Sequence, residues 1–265
     1  MAHIDIRPFE TKIGGRVLRG TLYGVDAEAP RPTVVLFHGF GGSRVETTGV
    51  FVQLARALAD AGLAVLAYDR AGHGESDGEF FDTTASGDIR DALRILDIVR
   101  GIPGVDGDDL HLVGMSLGAV VASVVAAESD AAVRSLTMWS SAAVFVDDIR
   151  SGQIQGRSLD TLDTDGWFDF LGMRMGPAMR EDALTFDAYG RAAAYKGPVL
   201  LLHGSEDFVP VSYAQRYAND DVFGDRAEVV VVEGADHGWA QLPQRDLLIA
   251  RTTRFVVSHT RGGRS

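Results

Sequence analysis

The stretch Leu110–Ala127, LHLVGMSLGAVVASVVAA, decides how this chain folds. Leu110 to Val113 read as a buried strand. From Gly118 to Ala127 the pattern is a helix, apolar on every side and therefore covered all round. Between them stands Gly114-Met115-Ser116-Leu117-Gly118, one hydroxyl flanked by two glycines. A strand that turns sharply into a helix leaves no room for side chains at 114 and 118, and it lifts Ser116 above the carboxyl end of the strand. The free N–H groups of the helix start favour negative charge beside that hydroxyl. This is the geometry of a serine nucleophile elbow.

The same alternation runs outward in both directions. Val34–Phe37, Val65–Tyr68, Leu136–Trp139, Val199–Leu202 and Val229–Val232 are further short apolar runs. None alternates cleanly with polar residues, as expected of parallel strands buried on both faces. Phe51, Leu54, Ala55 and Leu58 follow a helical stripe; Ile89, Ala92, Leu93, Leu96 and Val99 form another. Residues 212–221 and 244–259 read as weaker helices. Segments near 3–10 and 16–23 are shorter and more polar, and look like an antiparallel edge turning at Gly14-Gly15. The expectation is an α/β fold: a mostly parallel, twisted, eight-stranded sheet with helices on both faces. Residues 145–195 break the rhythm. They read as an inserted cap over the active site, set into a core of 1–144 and 196–265.

A serine hydroxyl needs a base. Of seven histidines, His3 and His259 lie near the termini, His111 inside a strand, and His38, His73 and His203 before glycines. His237 follows the last strand, where a loop reaches back over the sheet, and is the expected base. Its orienting acid is expected from HGSEDFVP, where Glu206 and Asp207 are both available. Asp207 is favoured because it lies further into the loop. Asp236 would have to fold back on its own neighbour. The chain order Ser116, Asp207, His237 is that of the α/β-hydrolase plan. Two N–H groups must meet a developing oxyanion: Leu117, after the nucleophile, and Phe40 in FHGFGGS, where Gly39, Gly41 and Gly42 permit close approach.

Rival readings of the motifs fare worse. Gly39-Phe40-Gly41 begins a dinucleotide fingerprint, but Arg44 stands where the third glycine belongs, and no acid falls about 20 residues on. No H-x-x-x-H or H-E-x-x-H pair suggests a metal. No metal or cofactor is expected. Cysteine is absent, so disulfides and a thiol nucleophile are excluded. A net charge of -12 repels phosphate backbones, which argues against nucleic acid. The start MAHIDIRPFE has no apolar core, and no run is long enough to span a membrane. The expected setting is the cytoplasm, with no membrane partner. The tail RGGRS reads as frayed. The sequence leaves the oligomeric state open, a homodimer included.

FHGFGGS, DRAGHGESDG, GMSLG, HGSEDFVP and EGADH, in this order from residue 37 to 237, resemble the α/β-hydrolase superfamily. GHGESDGEF and EGADHGW resemble, more narrowly, the small bacterial feruloyl/cinnamoyl esterases. That resemblance implies one domain with a short cap between the sixth and seventh strands. It implies Ser116, Asp207 and His237 as triad and Phe40 and Leu117 as oxyanion donors. Met115 and Leu117 depart from the His and Gln that often flank the nucleophile there.

The expected activity is that of a serine carboxylesterase acting on small to medium esters, feruloyl- or cinnamoyl-type ones included, through an acyl-enzyme. Peptide, thioester and lipid substrates use the same machinery. A silent ligand-binding version of the fold would lack a triad member, and none is missing. Trp167, Phe170, Met173 and Trp239 are expected to line the pocket for the small-molecule ester.

Overall fold

The computed structural model describes residues 4–26 and 28–263. His3 and the last two residues of RGGRS lie outside them. Eight strands form one sheet: β1 (Ile6–Ile13), β2 (Arg16–Tyr23), β3 (Arg31–Phe37), β4 (Ala64–Tyr68), β5 (Val105–Met115), β6 (Val133–Trp139), β11 (Val199–Gly204) and β12 (Ala227–Val232). Their spatial order is β1-β2-β4-β3-β5-β6-β11-β12. β1 and β2 pair antiparallel to each other, and β2 to β4; every later pair is parallel. Gly14 and Gly15, both at positive φ, make the β1–β2 turn.

The apolar strands serve two cores at once. In β3, Val35 and Phe37 enter one core while Val34 and Leu36 enter the other. Helix α1 (Val50–Asp60) and helix α9 (Leu242–Ser258) pack together on one face of the sheet. Helix α2 (Ala85–Val99) and helix α3 (Leu117–Glu128) cover the other, together with α8 (Val211–Tyr217). Thr84 caps α2, its hydroxyl accepting the Gly87 N–H at 2.9 Å. Every residue of α3 from Leu117 to Ala126 is buried, which accounts for its having no polar face.

Two strands differ from the sequence reading. β5 begins at Val105 rather than Leu110, because the polar lead-in pairs with β3 across a register shift. β12 is not buried on both faces. It is one of the two edge strands, opposite β1, and Val231 is 46% exposed.

Between β6 and β11 the chain forms α4 (Val144–Arg150), hairpin β7–β8 (Gln153–Ile154 and Arg157–Ser158), α5 (Thr161–Thr164), hairpin β9–β10 (Phe168–Phe170 and Met173–Met175), α6 (Pro177–Thr185) and α7 (Ala188–Ala192). The short hairpins were invisible as strand runs because each strand has only two or three residues. α4 packs on α6, whereas α7 packs on α3 and so belongs with the body of the molecule. Among the described residues no helix is long and apolar enough to cross a membrane.

Candidate active site

Ser116 occupies the turn between β5 and α3 with φ 57° and ψ −124°, a conformation that L residues rarely adopt. Close packing enforces it. A side chain at Gly118 would fall on the carbonyl oxygens of Phe37 and His38, and one at Gly114 on the backbone of Gly118 and Ala119. The Ser116 N–H donates to Trp139 O at 2.9 Å, tying the corner to β6.

Loops from the ends of β11 and β12 bring two more side chains to this corner. His237 Nε2 lies 3.0 Å from Ser116 Oγ, and His237 Nδ1 lies 2.8 Å from Asp207 Oδ1. The Asp207 side chain is fully buried and also accepts the Val209 N–H at 2.8 Å. Burial pushes its carboxyl up, but the hydrogen bond and charge of His237, with the Val209 N–H, outweigh this and hold it below the usual carboxylate range. An ionised Asp207 only accepts, so Nδ1 carries the ring proton and Nε2 is left to accept from Ser116 Oγ. Glu206 is exposed, and Asp236 accepts the Ala240 N–H at 2.9 Å instead of reaching the ring. Phe208, which no pattern in the sequence singled out, lies over the imidazole with centroids 4.2 Å apart.

Leu117 opens α3, and Phe40 lies in the loop after β3; among the described residues neither N–H donates to another protein group. Both residues line a cavity of about 320 Å³ whose floor holds Ser116 and His237. Its walls are mostly apolar. Phe145 and Ile149 come from α4, Ile154 from β7, Phe170 from β9 and Met179 from α6. Besides Ser116 and His237, four polar side chains interrupt them: Glu46, Thr47, Asp148 and Gln155. Glu46 is a further residue that motif reading missed. Burial pushes its carboxyl up, against the N–H groups of Gly39 and Thr47.

Of the four residues expected to line the pocket, Phe170 does so. Met173 instead lies against Gly41, on the far side of the Phe40 loop. Trp239 is completely buried, its indole N–H donating to Ser140 Oγ at 3.1 Å; it belongs to the core beneath the site. Trp167 stacks with the Arg174 guanidinium at 5.1 Å, away from the cavity. Among the described residues no cluster of three or more His, Asp or Glu side chains could hold a metal.

The comparisons agree with this architecture. A family model described as the alpha/beta hydrolase family matches residues 34–251. The chain belongs to that family. It is 25% identical over 261 residues to a monoacylglycerol lipase of Mycolicibacterium smegmatis, covering 87% of this chain and 89% of that one. It is 28% identical over 242 residues to the non-heme chloroperoxidase CPO-A1 of Kitasatospora aureofaciens, covering 73% and 84%. Among solved structures, Est1E from Butyrivibrio proteoclasticus with ferulic acid bound superposes with a TM-score of 0.84 at 24% identity, covering 95% of this chain and 98% of that one. That likeness shows the α/β-hydrolase fold, and the match to the hydrolase family supports an enzyme.

Proposed function

We propose that this protein is a serine carboxylesterase that cleaves small to medium carboxylic esters, hydroxycinnamoyl esters included, through an acyl-enzyme. The observation behind it is the unbroken line Asp207–His237–Ser116 opening onto an apolar cavity beside two unpartnered N–H groups. His237 Nε2 takes the Ser116 proton as Oγ attacks the carbonyl, and Asp207 stabilises the imidazolium. The N–H groups of Phe40 and Leu117 receive the oxyanion; removing one such donor typically costs about 3 kcal/mol of barrier stabilisation. His237 then protonates the departing alcohol, and water repeats the sequence on the acyl-enzyme.

Within residues 145–195 the part before α7 acts as the cap, and its α4, β7, β9 and α6 side chains hold the acyl group. An aromatic acid fits this reading for a second reason. Asp148 and Gln155 place a carboxylate and an amide in an otherwise apolar wall, where a phenolic hydroxyl has a partner. The bound ferulic acid of the Est1E neighbour is consistent with such a substrate.

Purified protein should be labelled by a fluorophosphonate probe and should hydrolyse at least one member of an acetyl, butyryl, decanoyl and feruloyl ester panel. An unlabelled protein that leaves the whole panel intact would overturn the proposal. Faster turnover of matched amides or thioesters would replace its substrate class.

A further inference from the structure

Glycines at 39, 41 and 42 make the loop after β3 intrinsically loose, yet the Phe40 N–H has to be aimed. Side chains from three other places supply the order. The Gly39 carbonyl accepts from Arg70 Nη2 at 2.7 Å and from His38 Nδ1 at 2.8 Å. The Arg70 N–H in turn donates to His38 Nε2 at 3.0 Å, which fixes the proton of that ring on Nδ1. Arg70 is buried and ion-paired with the equally buried Asp88. From the opposite side, the Glu46 carboxylate accepts the N–H groups of Gly39 and, at 3.1 Å, Thr47.

The described residues contain no cis peptide, so the carbonyl of Gly39 and the N–H of Phe40 point in opposite directions from one rigid plane. Anchoring the carbonyl toward the interior turns the N–H toward the cavity. We propose that Arg70 and Glu46 are positioning residues for the oxyanion site. Arg70 fixes the tilt of the Gly39–Phe40 peptide, and Glu46 keeps Gly39 from rotating. Buried ion pairs are poor sources of stability. The Arg70–Asp88 pair has this orienting task instead, with Asp88 neutralising the guanidinium while another of its N–H groups reaches Gly39. The inference rests on the esterase reading for its catalytic meaning, but its geometry is testable without turnover.

Three variants test it: Glu46→Ala, Glu46→Gln, and the double variant Arg70→Met/Asp88→Asn, which leaves no buried charge unpaired. In ¹⁵N-labelled protein the Phe40 amide resonance should move in Glu46→Ala and in the double variant while that of Leu117 stays in place. On the best ester of the panel, kcat should fall about ten- to a hundredfold, part of the loss expected for deleting one donor outright. KM should stay within about threefold, since the α4, β7, β9 and α6 side chains proposed to hold the acyl group are unchanged. Glu46→Gln should recover part of the loss, because its single amide oxygen can still accept the Gly39 N–H while nothing replaces the second oxygen that accepts from Thr47. An unmoved Phe40 amide, or kcat within about twofold of the parent in folded Glu46→Ala, overturns the proposal. If the double variant does not fold, Glu46→Ala, altered at a partly exposed side chain, decides alone. If the parent hydrolyses no ester, the esterase reading falls, and the Phe40 resonance still decides whether the clamp exists.

Discussion

His237 Nε2 stands 3.0 Å from Ser116 Oγ across a sequence separation of 121 residues, with Asp207 completing the line from a third loop. Both hydrogen bonds are formed in this structure. Under the proposed mechanism little reorganisation stands between substrate binding and proton transfer.

Asp207→Asn should therefore be far more damaging than a loss of charge alone suggests. The new amide can donate to Nδ1 and so stabilise the tautomer with its proton on Nε2, which cannot accept from Ser116. A fall in kcat of about 10⁴-fold is expected, against about 10⁶-fold for Ser116→Ala. Steady-state kinetics on a chromogenic ester compare the two; equal activity of Asp207→Asn and parent contradicts the assignment.

Gly118→Ala tests the corner itself. The added methyl meets the carbonyl oxygens of Phe37 and His38 at the end of β3. Overpacking of this kind costs about 1–3 kcal/mol. Urea unfolding should show that loss, and fluorophosphonate labelling should slow because both Ser116 and the Phe40 loop shift.

His73 should make the fold acid-sensitive. Burial first, and then the charge of Arg70, depress its imidazole to about 3. Unfolded, the same ring takes its proton at about 6.5. Between these values the unfolded chain holds the extra proton, so this contribution is complete above about pH 6.5 and is lost as pH falls toward 3. Its slope approaches about 1.4 kcal/mol per pH unit. His73→Asn keeps a donor for Ala71 O, the present partner of Nδ1 at 3.0 Å. Its denaturation midpoint should change less between pH 7 and pH 5 than that of the parent.

Asp148→Ala should separate substrates. Its carboxylate lines the cavity and accepts the Gln155 N–H at 3.0 Å. A hydrogen bond to a charged group contributes about 1.5–3 kcal/mol, so kcat/KM for a feruloyl ester should drop about tenfold or more. Butyryl ester hydrolysis should hold within about twofold. Parallel losses on both esters would remove the aromatic-acid reading.

Spacing within the chain made the corner at Ser116 legible, because one strand, one turn and one helix occupy a single continuous stretch. The places of Asp207 and His237 followed from strand ends, a topological cue that needs no side-chain detail. Glu46, Phe208 and Asp148 left no comparable trace. They lie in loops or on a short helix whose orientation depends on tertiary packing. The two tryptophans misled for the same reason. Aromatic composition signals burial or binding alike, and the positive φ of Trp239 turns a residue two positions from His237 into the core. The edge position of β12 was hidden too, since an unbroken valine run reads the same at the rim of a sheet as at its centre.

The three residues of the proposed triad follow the ends of β5, β11 and β12, while most of the apolar wall comes from one continuous stretch inserted between β6 and β11. Under the proposed function, chemistry and most of the selectivity are thus written in separate parts of the gene. Exchanging that stretch as a cassette would redirect the catalyst toward other acids without rebuilding its engine.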